Sequence, residues 1–220
     1  MTDFAKHRTA MVDSQLRPND VTDRRILNVM GSVPRESFLP EDRRALAYID
    51  EDLPVGSSVA PRFLLAPMPF ARLVQLGEVG SDDVVLDIAC GTGYSAAVLA
   101  QLASSVVAIE DNEALVELAN ENLAALDIGN AAVVQGELTG GVPSEAPFDV
   151  IIIEGAVEEI PEELFAQLKE GGRLVAIERS GAVFVAAVYI RSGDEFTKRV
   201  AFNAGVPSLK AFAKAPQFQF

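Results

Sequence analysis

The sequence predicts an α/β protein: a doubly wound, mostly parallel sheet of seven strands with a helical N-terminal extension. Three observations carry this. From residue 84 onward, apolar runs of strand length alternate with segments of helical periodicity. The first run, Val84-Val85-Leu86-Asp87-Ile88-Ala89, enters a glycine turn, Cys90-Gly91-Thr92-Gly93, and a helix is expected from Tyr94. Near the C-terminus only Arg191-Ser192-Gly193-Asp194 separates the last two runs, so they should form an antiparallel pair.

In chain order, Phe4 to Leu16 has helical character, with Phe4, Met11, Val12 and Leu16 on one side, and Arg17-Pro18-Asn19-Asp20 breaks it. Thr22 offers an N-cap to a helix over Arg24–Met30, where Ile26, Leu27 and Met30 are helically spaced. A proline-bracketed connector, Val33 to Pro40, leads to a short helix over Glu41–Ala47. The loop from Tyr48 to Pro67 holds four prolines or glycines, together with Asp50, Glu51, Asp52, Ser57, Ser58 and Arg62. It reads as a lid or substrate loop, or as a plain connector. Met68–Leu76 is the next expected helix, and Gly77 to Asp83 leads into the first strand.

The expected strands are Val84–Ala89, Val106–Ile109, Ala131–Gln135, Val150–Ile153, Arg173–Ile177, Val183–Ile190 and Phe196–Phe202. The expected helices between them are Tyr94–Leu102, Asn112–Leu126 and Pro161–Lys169, connected right-handedly. Residues 1–80 (extension and substrate loop), 81–180 (cofactor-binding core) and 181–220 (antiparallel strands and tail) are read as parts of one domain. The tail, Phe212 to Phe220, ends on Phe218-Gln219-Phe220; it reads as an edge strand, a groove cover or a frayed end.

Val84, Val85, Leu86 and Ile88 suit a strand covered on both faces. Gly91 and Gly93 let the backbone turn sharply and approach a ligand closely. Seventeen residues past Gly93, the run Val106-Val107-Ala108-Ile109 ends on Glu110-Asp111. A glycine turn followed by an acid at a second strand end describes a site for a ribose-bearing cofactor. Gly91-Thr92-Gly93-Tyr94-Ser95-Ala96 also satisfies a dinucleotide pattern, and Asp87 decides between the two. A carboxylate there would repel a pyrophosphate by about 1 to 4 kcal/mol at 4 Å. S-adenosylmethionine has no phosphate, and its ammonium and sulfonium favour a neighbouring acid. The competing reading of Asp87 is a cap for the turn through backbone hydrogen bonds.

Charge is unevenly placed. Residues 1–50 balance eight basic against eight acidic residues, whereas residues 81–170 set only Lys169 against eighteen acids. Nucleic-acid enzymes need cations to displace counterions from phosphate, so RNA and DNA acceptors rank low; the alternative, acidity for solubility, excludes them equally. No run of 18 uncharged apolar residues exists, so no membrane partner is expected. Met1 to Asp20 has no apolar export region. Cys90 is the lone cysteine, which suits a reducing cytoplasm. No metal site is expected.

Several blocks together resemble the protein-L-isoaspartate O-methyltransferase family, of the class I S-adenosylmethionine-dependent methyltransferases. They are Met11-Val12-Asp13-Ser14-Gln15-Leu16-Arg17, Val33-Pro34-Arg35-Glu36-Ser37-Phe38, Ala47-Tyr48-Ile49-Asp50 and Leu53-Pro54-Val55-Gly56. The cofactor motif follows, then Phe148 to Ile153, Ile160-Pro161 and Leu168 to Val175. The Val-Pro-Arg-Glu and Leu-Pro-Val-Gly blocks are the specific ones; glycine-strand motifs occur in many methyltransferases.

The resemblance implies a seven-stranded, Rossmann-like methyltransferase sheet. It also implies methylation of the isoaspartyl α-carboxyl of damaged proteins, which opens a repair route to aspartate. Ala89, Cys90, Gly91, Thr92, Gly93 and Tyr94, with Asp87, would surround the methionine end of the cofactor. Glu110 would accept from the ribose hydroxyls, Asp111 would lie beside the adenine, and Gly136-Glu137-Leu138 would stand where the family has Gly-Asp-Gly. Glu137 also reads as a solvated loop acid. Glu154-Gly155-Ala156 would line the site floor.

The family's Thr-Ile-Ser-x-Pro segment, whose serine borders the isoaspartyl carboxylate, corresponds to Phe63-Leu64-Leu65-Ala66-Pro67, so Leu65 takes the serine position. Ser57 and Ser58 are the candidates for replacing it. Ala204, before Val206-Pro207, stands where some members carry arginine.

A carboxylic acid with a pKa of about 4 is already ionised at pH 7, so transfer to it needs no general base. This suits a chain with one histidine, His7, in the N-terminal segment. Cys90 reads as a small packed residue rather than a nucleophile, since no histidine pairs with it in the motif. Two other functions stay open from sequence: a methyltransferase with another acceptor, and a cofactor-binding protein without turnover.

Overall fold

The computed structural model describes residues 3–56 and 61–214. The N-terminal extension begins with α1 (Phe4–Met11), capped by Asp3, whose side chain accepts from the Lys6 N–H. It continues into a π turn over Val12–Leu16 and a 3-10 turn over Arg17–Asn19. Met11, Val12 and Leu16 are buried and Phe4 packs against them, as their spacing predicts. In α2 (Arg24–Met30) the expected cap is corrected. Asp23 is the N-cap and accepts from the Arg25 N–H at 2.8 Å, while the Thr22 N–H donates to Gln75 Oε1 at 2.7 Å. A carboxylate at that position also meets the positive end of the helix, which a threonine cannot exploit.

A short 3-10 helix over Glu41–Leu46 precedes the Tyr48–Pro67 loop. Within that loop β1 (Leu53–Pro54) pairs antiparallel with β2 (Phe63–Leu64), Leu53 opposite Leu64. Strands of two residues are too short to show a readable alternation. Helix α3 (Pro67–Leu76) starts on Pro67, whose missing N–H is no loss in a first turn.

The sheet elements follow in order: β3 (Val84–Ile88), α4 (Tyr94–Ala100), β4 (Ser105–Glu110), α5 (Glu113–Ala125), β5 (Ala131–Gln135), β6 (Phe148–Val157), α6 (Glu162–Ala166), β7 (Leu168–Ser180), β8 (Val183–Ser192) and β9 (Glu195–Asn203). Their spatial order is β5-β4-β3-β6-β7-β8-β9. Neighbours from β5 to β7 are parallel, and β8 runs antiparallel to both β7 and β9. The seven-stranded, mostly parallel sheet is therefore present.

One helix is shorter than its pattern. The run Pro161–Lys169 gives only α6, because Leu168 already pairs with Phe148 in the sheet. Gln167 makes the break tolerable: its Nε2 donates to the carbonyls of Gly140 and Glu163, and its Oε1 accepts from the Val142 N–H.

Alternate residues along the strands feed two cores. Val85, Val106, Val150, Ile152 and Val175 face the layer made by α2 to α5 and the extension. Leu86, Ile88, Ile109, Ile151 and Leu174 face Leu164, Leu209 and Phe212. Of the tail, Phe212 is buried and its carbonyl accepts from the Glu158 and Glu159 N–H groups; Phe218-Gln219-Phe220 lies outside the described residues. Among the described residues no helix is long and apolar enough to cross a membrane.

The chain runs outward from β3 through β4 to β5, then returns to the other side of β3 as β6. The order reverses at β3, and the carboxyl ends flanking that point form the crevice where open α/β sheets take ligands.

Candidate active site

Asp87 stands at the carboxyl end of β3 and is completely buried. Its Oδ2 accepts from the Ser95 hydroxyl at 2.6 Å, whereas Oδ1 has no partner among the described residues. Burial, opposed by the Ser95 hydrogen bond and reinforced by the Glu110 charge, pushes its carboxyl up to about 7. The turn after it is tight. Ala89, Gly91 and Gly93 all have left-handed backbones, with φ of 66°, 57° and 89°. A Cβ on Gly93 would come within 3.1 Å of the Ala119 Cβ, so this glycine also sets how closely α5 packs.

Glu110, at the end of β4, is the most heavily bonded acid among the described residues. Arg62 Nε lies 3.0 Å from each of its oxygens. The N–H of Gly91 donates to Oε2 at 3.1 Å, and those of Asp111 and Asn112 donate to Oε1 at 3.0 and 3.2 Å. Arg62 Nη2 reaches Asp111 Oδ1 at 2.6 Å. Burial raises the Glu110 carboxyl above its ordinary value, and the Arg62 charge opposes that. Arg62 thus ties the Tyr48–Pro67 loop to the strand-end acids. Sequence reasoning placed Arg62 in the loop without a role. The available signal was its isolation, as the only basic residue between Arg44 and Arg72.

The remaining candidates divide. Gly136 donates its N–H to the Glu110 carbonyl, which places the Gly136–Leu138 segment beside that strand end. Leu138 is buried in the second core, and Glu137 is exposed, accepting from the Thr139 hydroxyl. Thr92 turns its hydroxyl onto the Phe38 carbonyl. The Tyr94 ring packs against Phe38 and Phe70. Ser57 and Ser58 lie outside the described residues.

Val85 and Asp87 share a sheet face with their register partners Val150 and Ile152. Glu154 follows in the irregular stretch of β6 between Ile152 and Ala156. Glu154, Cys90, Tyr94 and Ser95 line a narrow cavity of about 10 Å³ under Phe63, Leu64, Leu65 and Phe70. Among the described residues, Glu154 Oε1 and the Tyr94 hydroxyl have no partner. Burial, then the charge of Asp87, drives the Glu154 carboxyl well above the usual range, with Arg35 opposing. The Cys90 thiol is likewise pushed up by burial, so it stays a neutral packed group.

Behind this cavity Arg35 is completely buried. Its Nε donates to the Ala47 carbonyl at 2.7 Å and its Nη2 to the Leu65 carbonyl at 2.5 Å. Its guanidinium lies 4.9 Å from the Tyr94 ring centroid. His7 is exposed. Larger hollows occur around Thr139 and Phe212 and around Phe165 and Tyr189, and neither contains the glycine turn. No group of three or more potential metal ligands occurs among the described residues.

The family described as Protein-L-isoaspartate(D-aspartate) O-methyltransferase (PCMT) matches residues 6–201. A Protein-L-isoaspartate O-methyltransferase of Koribacter versatilis (strain Ellin345) is 38% identical over 177 residues, 80% of this chain and 78% of that protein. A solved protein-L-isoaspartate O-methyltransferase superposes with a TM-score of 0.82 at 27% identity, over 92% of this chain and 65% of that one. A Plasmodium falciparum structure, described as a candidate member in complex with S-adenosyl-L-homocysteine, gives a TM-score of 0.77. It covers 93% of this chain and 98% of that one at 21% identity, which speaks for the fold.

Proposed function

The chain belongs to the protein-L-isoaspartate(D-aspartate) O-methyltransferase family and is an S-adenosylmethionine-dependent enzyme of that family; on that premise we propose how its residues share the work. The observation that carries the scheme is the convergence of Asp87, the Gly91–Gly93 turn and Glu110 at the carboxyl ends of β3 and β4. Bound there, S-adenosylmethionine supplies a methyl group on a sulfonium, the electrophile for a carboxylate acceptor. The residues fit it: a buried acid with a free oxygen suits an ammonium, and positive-φ glycines leave room for close approach.

In this scheme Asp87 holds the cofactor ammonium and the turn from Ala89 to Tyr94 carries the methionine end. Glu110 accepts from the ribose hydroxyls, and Asp111 with Gly136, Glu137 and Leu138 borders the adenine. Glu154 closes the floor. The acceptor arrives ionised, so neither His7 nor Cys90 is needed as a base or nucleophile. Alignment and exclusion of water do the rest, with proximity contributing up to about 7 to 11 kcal/mol.

The acidic surface of residues 81–170 supports a protein acceptor over a nucleic acid. The single Cys90, which allows no disulfide within the chain, supports a cytoplasmic setting. The core shared by the extension and the strands supports reading residues 1–80, 81–180 and 181–220 as one working unit.

The test is S-adenosylhomocysteine release with an isoaspartyl peptide and its aspartyl isomer. The isoaspartyl form is expected to turn over and the aspartyl form to give little. Equal silence on both, with cofactor binding intact, would overturn the reading.

A further inference from the structure

Asp87 has a hydroxyl partner and a cofactor ammonium to answer it, and Glu110 has a full set of donors. Glu154 has neither. It is 7% exposed, its Oε1 makes no hydrogen bond among the described residues, and it lines the same narrow cavity as Leu65, which has room for about one water until the Phe63–Leu65 wall moves aside. An unpaired buried acid is retained at a cost, which points to a ligand group that completes it. Leu65, set by resemblance at the family's serine position, brings no side-chain donor to that cavity. A hydroxyl lost on one wall faces an acid without a partner on the other.

We propose that Glu154, carrying its proton, donates its O–H to the isoaspartyl α-carboxylate and so supplies the acceptor contact that Leu65 cannot make. The assignment rests on the isoaspartyl reading above. In the transfer, a lone pair of the free carboxylate oxygen forms the new O–CH3 bond as the S–CH3 bond breaks. The bonding pair goes to sulfur, leaving a methyl ester and a neutral thioether. The Glu154 proton stays on Glu154, bonded to the other carboxylate oxygen, so Glu154 is a positioning residue.

The groups around Glu154 agree with a neutral acid. Asp87 lies on the neighbouring strand and raises its pKa, Arg35 from the extension lowers it less than burial raises it, and Cys90, Tyr94 and Ser95 complete the wall.

The test compares Glu154→Gln, Glu154→Leu and Glu154→Leu/Leu65→Ser with the wild type, on an isoaspartyl peptide from pH 6 to 9. Peptide affinity for the S-adenosylhomocysteine complex is measured alongside turnover. Glu154→Leu is expected to raise KM about 10- to 100-fold, the worth of one hydrogen bond to a charged group, with kcat within a few-fold. Peptide affinity should fall in parallel. Leu65→Ser should restore much of it. Glu154→Gln keeps a donor that does not ionise and should hold KM within a few-fold of the wild type.

An unchanged KM in Glu154→Leu, or loss of S-adenosylhomocysteine binding in Glu154→Gln, overturns the assignment while leaving the enzyme's activity in place. If Glu154→Leu fails to fold, Glu154→Met, which also lacks a donor, takes its place in the same comparison. Silence of the wild type itself on the isoaspartyl peptide overturns the substrate reading and this assignment with it.

Discussion

Arg62 Nε sits 3.0 Å from both carboxylate oxygens of Glu110, the acid proposed to accept from the cofactor ribose. With three backbone N–H groups also donating to it, Glu110 has no lone pair left for a ribose hydroxyl unless Arg62 yields. Arg62→Ala is therefore expected to act in two opposite directions. It leaves Glu110 buried without its cation, which should lower Tm by several degrees. It also removes the competitor, so S-adenosylhomocysteine should bind several-fold more tightly and restore more of the lost Tm than in the wild type. Calorimetric affinities and melting curves check both halves; weaker binding in the variant would make Arg62 a cofactor ligand instead.

Asp87 links cofactor binding to a proton. Burial pushes its carboxyl up to about 7. A raised carboxyl stabilises the fold at low pH, and that contribution is lost as pH climbs from about 4 through 7. A cation beside Asp87 favours the ionised form, so cofactor affinity should rise between pH 6 and 8. About half a proton should be released per cofactor bound at pH 7, where a carboxyl near 7 is already half ionised, seen as a dependence of the binding enthalpy on buffer. Asp87→Asn should bind more weakly and release none. A pH-independent affinity in the wild type would count against the assignment.

The sheet was legible because its signals are periodic and local. Val84 to Gly93 shows strand, acid and glycine turn, and Val106 to Asp111 strand and acid, each within a dozen residues, and Asp87, Gly91, Gly93 and Glu110 lie together at the strand ends. Arg62 was not legible as a partner, because its contact spans 48 residues and depends on a two-residue ladder too short to show a pattern. Thr22 and the end of α6 went astray for a related reason. A neighbouring Asp23 and the pairing of Leu168 with Phe148 outweigh the local preference, and nothing in a single sequence ranks them beforehand.

The turn itself stores strain at one residue. Ala89 holds φ at 66°, a region where a Cβ costs about 1 kcal/mol. Ala89→Gly should relieve it, offset in part by the greater freedom of glycine in the unfolded chain. The net expectation is a gain of about 0.5 kcal/mol, or roughly 1 to 2 °C in Tm for a chain of this size. Gly93→Ala should do the reverse and lose more than 1 kcal/mol, since φ of 89° and the Ala119 contact at 3.1 Å both oppose a methyl. Two melting curves suffice, and equal shifts for the two variants would contradict the account.

Arg35 joins the extension to the acceptor wall. One guanidinium bridges the carbonyls of Ala47 and Leu65, and burial lowers its pKa from the ordinary arginine value. Lysine has the charge but not the fork, so it can reach one carbonyl and not both. Arg35→Lys is thus expected to leave one buried carbonyl unpaired and lose about 2 to 3 kcal/mol, roughly 5 to 10 °C in Tm. With the Leu65 carbonyl lost to the lysine, KM for an isoaspartyl peptide should rise, while S-adenosylhomocysteine affinity, set mainly by Asp87 and Glu110, should hold within a few-fold. Loss of cofactor affinity as large as the loss of peptide affinity would show that Arg35 supports the whole crevice rather than the acceptor wall.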